Sequence, residues 1–232
     1  EITPDNVVLF TLAGVELNAT IAWTWAVMAL LLAISLWATR GIGEGEEEVP
    51  PPWQNLLETI VEEMRRQIRE VSQQEPGAYL PFIGTLFLFI AMANLLAIVP
   101  GYMPPTGSLS TTAALALCVL VTVPLYGVRE RGLLGYLRNY VRPTPLMLPF
   151  NVIGELSRTI ALAIRLYGNV MSGTVIVGIL ISIAPFLFPI VMKLLGLLTG
   201  MIQAYIFAVL AMVYIASATR SHRGRAGDGN GD

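Results

Sequence analysis

Charge is what this sequence has least of. Only 13% of its 232 residues are Asp, Glu, Lys or Arg, against about 25% in soluble domains. That deficit excludes an ordinary water-solvated surface. A 55% hydrophobic content and a mean hydropathy of +0.67 indicate a chain solvated by lipid. The net charge of -2 implies no nucleic-acid partner. There is one cysteine and one histidine, which do not furnish a zinc or haem ligand set. Cys118 lies in an apolar run and reads as a small packing residue. His222 lies in a Gly/Arg/Asp-rich tail, so no Ser/His or Cys/His pair is available to a membrane enzyme.

Long apolar runs are what the chain does have. About 20 apolar residues cross a bilayer, and the first such span is 20–39, with Trp23 and Trp25 near one end. A polar linker follows, then a segment from Trp53 in which Leu56, Leu57, Ile60, Val61, Met64, Ile68 and Val71 recur at helical spacing. This predicts an amphipathic helix, on the membrane surface or packed on a partner. The second span is Pro81–Pro100, and the third runs from Thr111 to Val128 with a candidate kink at Pro124. From Leu146 to Thr219 the only charged residues are Glu155, Arg158, Arg165 and Lys193. Pro185 and Pro189 divide this stretch into two helices, Asn151–Ile183 and Pro189–Thr219. Each is about 45–50 Å long at 1.5 Å per residue. The hydrocarbon core is about 30 Å thick, so the two are expected to tilt steeply, by roughly 50°.

The fold class expected is therefore all-α and integral to the membrane, with five transmembrane helices, an amphipathic surface helix, and a tilted hairpin at the end. Arginines after the first, third and fifth spans put the N-terminus outside and the C-terminus in the cytoplasm. The expected organisation is an extracytoplasmic N-terminus (1–19), helix 1 (20–39), a cytoplasmic linker and amphipathic helix (40–78), and a hairpin of helices 2 and 3 (79–128). An Arg-rich cytoplasmic loop (129–145), the long hairpin (146–219) and a disordered cytoplasmic tail (220–232) complete it.

Glu155, Arg158, Arg165, Asn169 and Ser172 follow one another at steps of 3, 7, 4 and 3 residues, which keeps all five on one helix face. A charge at mid-bilayer costs about 2.5–3.5 kcal/mol on insertion scales, so such residues mark function. Arg158 can snorkel or pair with Glu155 three residues away. Arg165 is ten residues from Glu155, too far for a direct pair along one helix. No other carboxylate lies within the five spans, so its counter-charge is expected from another chain. In the last span Gly196, Gly200, Ala204 and Ala208 recur every fourth residue, a stripe that admits a close helix neighbour. Thr199 and Gln203 run beside it, with Tyr214 further on. Gln203 can hydrogen-bond a guanidinium, line water or bridge helices.

"ELSRTIALAIRLYGN", followed by "IQAYIFAVLAMVYI" and preceded by "YLPFIGTLFLFIAMANLLAIVPGY", resembles subunit a of the F-type ATP synthases over nearly all of Trp53–Thr219. "PPTGSLSTTAALAL" and "GLLTGMIQAYIFAVLAMVYIASATR" are in finer detail similar to the N-ATPase branch, bacterial and archaeal enzymes often regarded as Na⁺-translocating. The resemblance implies a non-catalytic membrane subunit of the F0 sector, in a bacterial or archaeal cytoplasmic membrane. Its implied partners are a ring of c subunits, b-type peripheral stalk subunits, a soluble ATPase head and membrane lipid. It carries no cofactor of its own, and the transported ion is Na⁺ or H⁺. Arg165 matches the family's essential arginine facing the ring. Asn169 and Gln203 match its polar neighbours, and Glu155 and Arg158 match positions toward the cytoplasmic half-channel.

Many proton-driven members carry a Glu or His pair in the second half-channel, where this chain has Thr174 and Gly196. Neither titrates. Hydroxyls at Ser172, Thr174 and Tyr214 lean instead toward Na⁺, because a hard cation takes oxygen ligands. A secondary ion transporter is the competing class, but five spans, no internal repeat and no interrupted helix speak against it.

Overall fold

The computed structural model describes residues 8–12, 15–39, 52–72, 76–99, 101–141, 147–183 and 188–219. Six α-helices carry the fold: α1 (Ala19–Thr39), α2 (Pro52–Ser72), α3 (Leu80–Leu95), α4 (Leu109–Val141), α5 (Met147–Ile183) and α6 (Phe188–Thr219). Five of them, all but α2, are long and apolar enough to cross a membrane. The linker after residue 39, the Pro185 break and the tail from residue 220 lie outside the described residues.

Ahead of α1 the chain forms a feature that helical periodicity does not announce. Val8–Leu12 (β1) and Val15–Asn18 (β2) pair antiparallel, with Thr11 opposite Glu16 and a register irregularity between Val8 and Phe10. β-branched and aromatic residues favour such strands, and β2 runs directly into α1.

α2 is amphipathic, and the end of its apolar edge is docked on the chain itself. Ile68 is fully buried, Met64 lies against Gly84 of α3, and the Tyr205 hydroxyl of α6 donates to Gln67 Oε1 at 2.9 Å. Its charged face is solvated: Glu63 and Arg66 pair at 2.6 Å with both side chains exposed, an arrangement that contributes little stability.

One expectation after the third span is corrected, and one break is added. α4 carries Pro124 within it and departs from helical geometry at Gly132, where φ is 73° and ψ is 160°. The Arg-rich segment read as a loop over 129–145 is helical as far as Val141. Leu and Arg are good helix formers, and one glycine absorbs the change of direction. That backbone region is essentially confined to glycine. Gly132→Ala is therefore expected to cost about 1–3 kcal/mol or to straighten the bend, read as a lower melting temperature of the purified protein. Cys118, read as a packing residue, is exposed on α4.

The core lies among α3, α4, α5 and α6. Ile90, Val119, Leu162, Leu166, Phe207 and Ile215 are all but inaccessible. The small residues of α6 explain how the helices come so close: Gly200, Ala204 and Ala208 are buried along one stripe. α5 contributes least to this core. Of its most apolar stretch only 6% is buried within the chain, against 39% for α3. Its 37 residues extend about 55 Å and the 32 of α6 about 48 Å.

Candidate functional site

The polar stripe sits on α5. At 3.6 residues per turn Glu155, Arg158, Arg165, Asn169 and Ser172 fall within an arc of about 100°. Arg158, Arg165 and Ser172 are exposed, and Glu155 and Asn169 half-buried. A second edge of α5, about a quarter turn away, faces inward through Thr159, Leu162, Ala163 and Leu166. So packing on one edge holds the helix, and the guanidinium of Arg165 is left on a face that this chain does not cover. Arg165 makes no hydrogen bond or ion pair among the described residues.

Arg158 has a partner in this chain. Its guanidinium carbon lies 5.6 Å from the centroid of the Tyr214 ring, a cation–π contact from α5 to α6. Two residues that the sequence placed on separate helices thus meet. Gln203 and Arg165 do not bond one another. Gln203 is buried on α6, and its amide nitrogen has no hydrogen-bond acceptor among the described residues.

Hydroxyls on both long helices are turned back onto their own backbones. Ser172 Oγ donates to the Asn169 carbonyl at 3.1 Å, Thr174 Oγ1 to that of Val170 at 3.0 Å, and Thr199 Oγ1 to that of Leu195 at 3.0 Å. Each hydroxyl proton is used locally. The lone pairs of each oxygen remain able to accept a proton donor or ligate a cation.

A cavity of about 380 Å³ lies where the inward edge of α5 runs past its packing partners. Asn169 and Thr174 line it from α5, Lys193 and Gly196 from α6, and Asn94 and Tyr102 from α3 and the connection that follows it. Asn169 is the one stripe residue in this lining; Arg165 stands one helical turn short of it. Thr174 and Gly196, which sit on different helices, share the cavity wall. Tyr102 is braced edge-on by Trp23 of α1, with ring centroids 4.9 Å apart. Burial raises the Tyr102 phenol above its ordinary pKa, so it stays protonated.

Two lining residues escaped sequence reasoning. Tyr102 sat in a loop without periodicity. Asn94 was visible as a lone polar residue in an apolar span, yet its partners are distant in sequence. Its amide nitrogen donates to the Gly200 carbonyl of α6 at 3.0 Å, and Thr106 Oγ1 donates to Asn94 Oδ1 at 3.2 Å.

The family model for the ATP synthase A chain matches residues 21–216, which takes in all five candidate spans but for their outermost residues. The chain belongs to the ATP synthase A chain family. Relatives agree along nearly their whole length. ATP synthase subunit a 1 of Chlorobaculum parvum is 59% identical over 220 residues, covering 95% of this chain and 96% of the relative. ATP synthase subunit a 2 of Picosynechococcus sp. is 56% identical over 218 residues, covering 94% and 93%. ATP synthase subunit a of Albidiferax ferrireducens is 55% identical over 222 residues, covering 96% and 95%. As a member of the ATP synthase A chain family with five apolar helices, this is a multi-pass membrane protein.

Proposed function

We propose that this chain is the stator subunit a of a rotary F-type ATP synthase, working between a ring of c subunits and a peripheral stalk. It couples ion translocation to rotation, and through a soluble ATPase head to ATP synthesis or hydrolysis. One observation carries this reading: Arg165 stands on a membrane-spanning helix, on an exposed face, without a counter-charge among the described residues. The uncovered face of α5 is where the rotor passes. The length of α5 and α6 beyond a bilayer is taken up by tilt along that rotor. The N-terminus lies outside and the C-terminus in the cytoplasm, as the arginine distribution favours.

The guanidinium is protonated under any cellular condition. It is a fixed cation and carries no ion itself. A rotor carboxylate arrives neutral, loaded with H⁺ or Na⁺. Beside Arg165 the anionic form is stabilised, and the ion leaves into an aqueous half-channel. The same charge repels a cation crossing directly between the half-channels. The cavity lined by Asn169 and Thr174 is the outer half-channel, and Glu155, Arg158 and Tyr214 border the inner one. Ser172, Thr199 and Gln203 serve as polar neighbours of the exchange site. Each charge that crosses is worth about 2.3 kcal/mol per 100 mV.

The absence of a titratable side chain at Thr174 and Gly196, with back-bonded hydroxyls nearby, favours Na⁺ and the N-ATPase branch. The complex purified through this chain is expected to bring a hairpin ring subunit and an ATPase head with it. Its ATP hydrolysis is expected to rise on adding Na⁺ above neutral pH, and Na⁺ is expected to protect the ring carboxylate from carbodiimide. Hydrolysis and labelling indifferent to Na⁺ would assign the protein to H⁺. Purification of the chain alone, as a simple oligomer, would favour the secondary-transporter reading.

A further inference from the structure

Asn94 is a polar residue held where its span is most enclosed, 5% exposed and bonded at both ends of its amide. The orientation of that amide is dictated by its partners. The Gly200 carbonyl can only accept, so the nitrogen faces it, and the oxygen accepts from Thr106. Thr106 itself is fully buried in the short turn Pro105–Gly107. Three elements therefore meet at one side chain: α3, the connection to α4, and α6. The fit is tight. A Cβ at Gly200 would come within 2.9 Å of Asn94 Cγ and 3.0 Å of its Cβ. Glycine is required there because Asn94 occupies the space.

The position of this joint is what gives it meaning. Along α6 the cavity is lined by Met192, Lys193, Gly196 and Leu197, and no further. Gly200 is the next turn and Gln203 the one after. Along α5 the lining ends at Asn169, one turn short of Arg165. Asn94 thus closes on α6 at the inner end of the cavity, between it and the polar pair Gln203 and Arg165.

We propose that Asn94 is a positioning residue for ion translocation: by bonding the Gly200 carbonyl it fixes the turn of α6 that seals the inner end of the cavity. This rests on reading the cavity as an ion path. With the clamp released, that turn is free to move off α3, and the cavity opens toward Gln203 without passage through the rotor. The consequence is a leak that bypasses rotation.

The test uses the intact complex in vesicles, without nucleotide, and measures potential-driven Na⁺ and H⁺ uptake per assembled complex. Loss of a hydrogen bond of ordinary net strength shifts an equilibrium about two- to tenfold, so Asn94→Ala is expected to raise the leak by that factor. Gly200→Ala is expected to do the same, by pushing Asn94 off α6. The double variant should leak no more than Asn94→Ala alone, because the hydrogen bond that both changes act on is already absent and only the 3.0 Å approach of the Cβ of residue 94 remains. Additive effects, or leaks at the parent level, overturn the clamp. Thr106→Val is close to isosteric and guards against failed assembly. It frees the Asn94 oxygen and is expected to raise the leak about twofold or more, and parent behaviour counts against the proposal. Arg165→Ala is assayed in parallel for ATP-driven uptake. If that variant pumps normally, the reading of the site fails. If it loses pumping while the Asn94, Gly200 and Thr106 variants stay tight, the clamp alone fails.

Discussion

Arg165→Ala is expected to abolish ATP-driven cation uptake by vesicles containing the complex, a fall of at least about a hundredfold. The magnitude follows from the charge removed. Two unit charges 4 Å apart interact by about 4 kcal/mol at an effective dielectric constant of 20, or roughly a thousandfold in an equilibrium. That difference separates a rotor carboxylate that releases its ion beside Arg165 from one that keeps it. Folding gives no competing explanation. Arg165 is exposed and bonds nothing among the described residues, so alanine leaves neither a cavity nor an orphaned partner there. Normal amounts of the chain in the membrane, beside absent transport, are the expected pair of results. Arg165→Lys is expected to retain a little coupling at most. Its ammonium is compact, lacks the planar fork, and can lose its proton in a poorly solvated site. Pumping by the alanine variant near the parent rate would remove the reason for assigning Arg165 any role.

Much of the framework was legible from periodicity and length. The ends of the two long helices follow from the apolar stretch and its prolines, and the observed Met147–Ile183 and Phe188–Thr219 lie within a few residues of them. The single polar face of α5 was legible because helical geometry converts spacing into direction. What stayed hidden depends on tertiary packing. Pro124 is the conventional signal for a kink, yet the chain bends at Gly132, where a backbone without a Cβ reaches a conformation closed to other residues. Arg158 had two local options in the sequence, and its observed partner, Tyr214, comes from another helix. The Gly196, Gly200, Ala204, Ala208 stripe announced a close neighbour without identifying it. The neighbour at Gly200 is the amide of Asn94, and at Gly196 it is open cavity.

The same distinction sets apart the two polar residues nearest the exchange site. Arg165 is held out of its chain, whereas Gln203 is buried within it at 7% exposure, with an amide nitrogen that finds no acceptor among the described residues. A buried donor left unmade costs about 1–3 kcal/mol. Gln203 is thus a residue that its own fold does not favour, and such a local misfit is characteristic of functional positions. Gln203→Leu is close in volume and removes the orphaned donor. It is expected to leave the isolated chain as stable as the parent, or more stable by about 1 kcal/mol, as read from thermal unfolding in detergent. Transport is expected to move the other way, falling about tenfold in ATP-driven uptake, because a buried amide beside the exchange site is gone. Gln203→Asn, which keeps the amide on a shorter stem, is expected to recover part of the rate without recovering the packing. If leucine lowers stability and transport together, Gln203 is a structural bridge between helices. If it changes neither, the donor has a partner in the assembled complex that satisfies it without serving the ion.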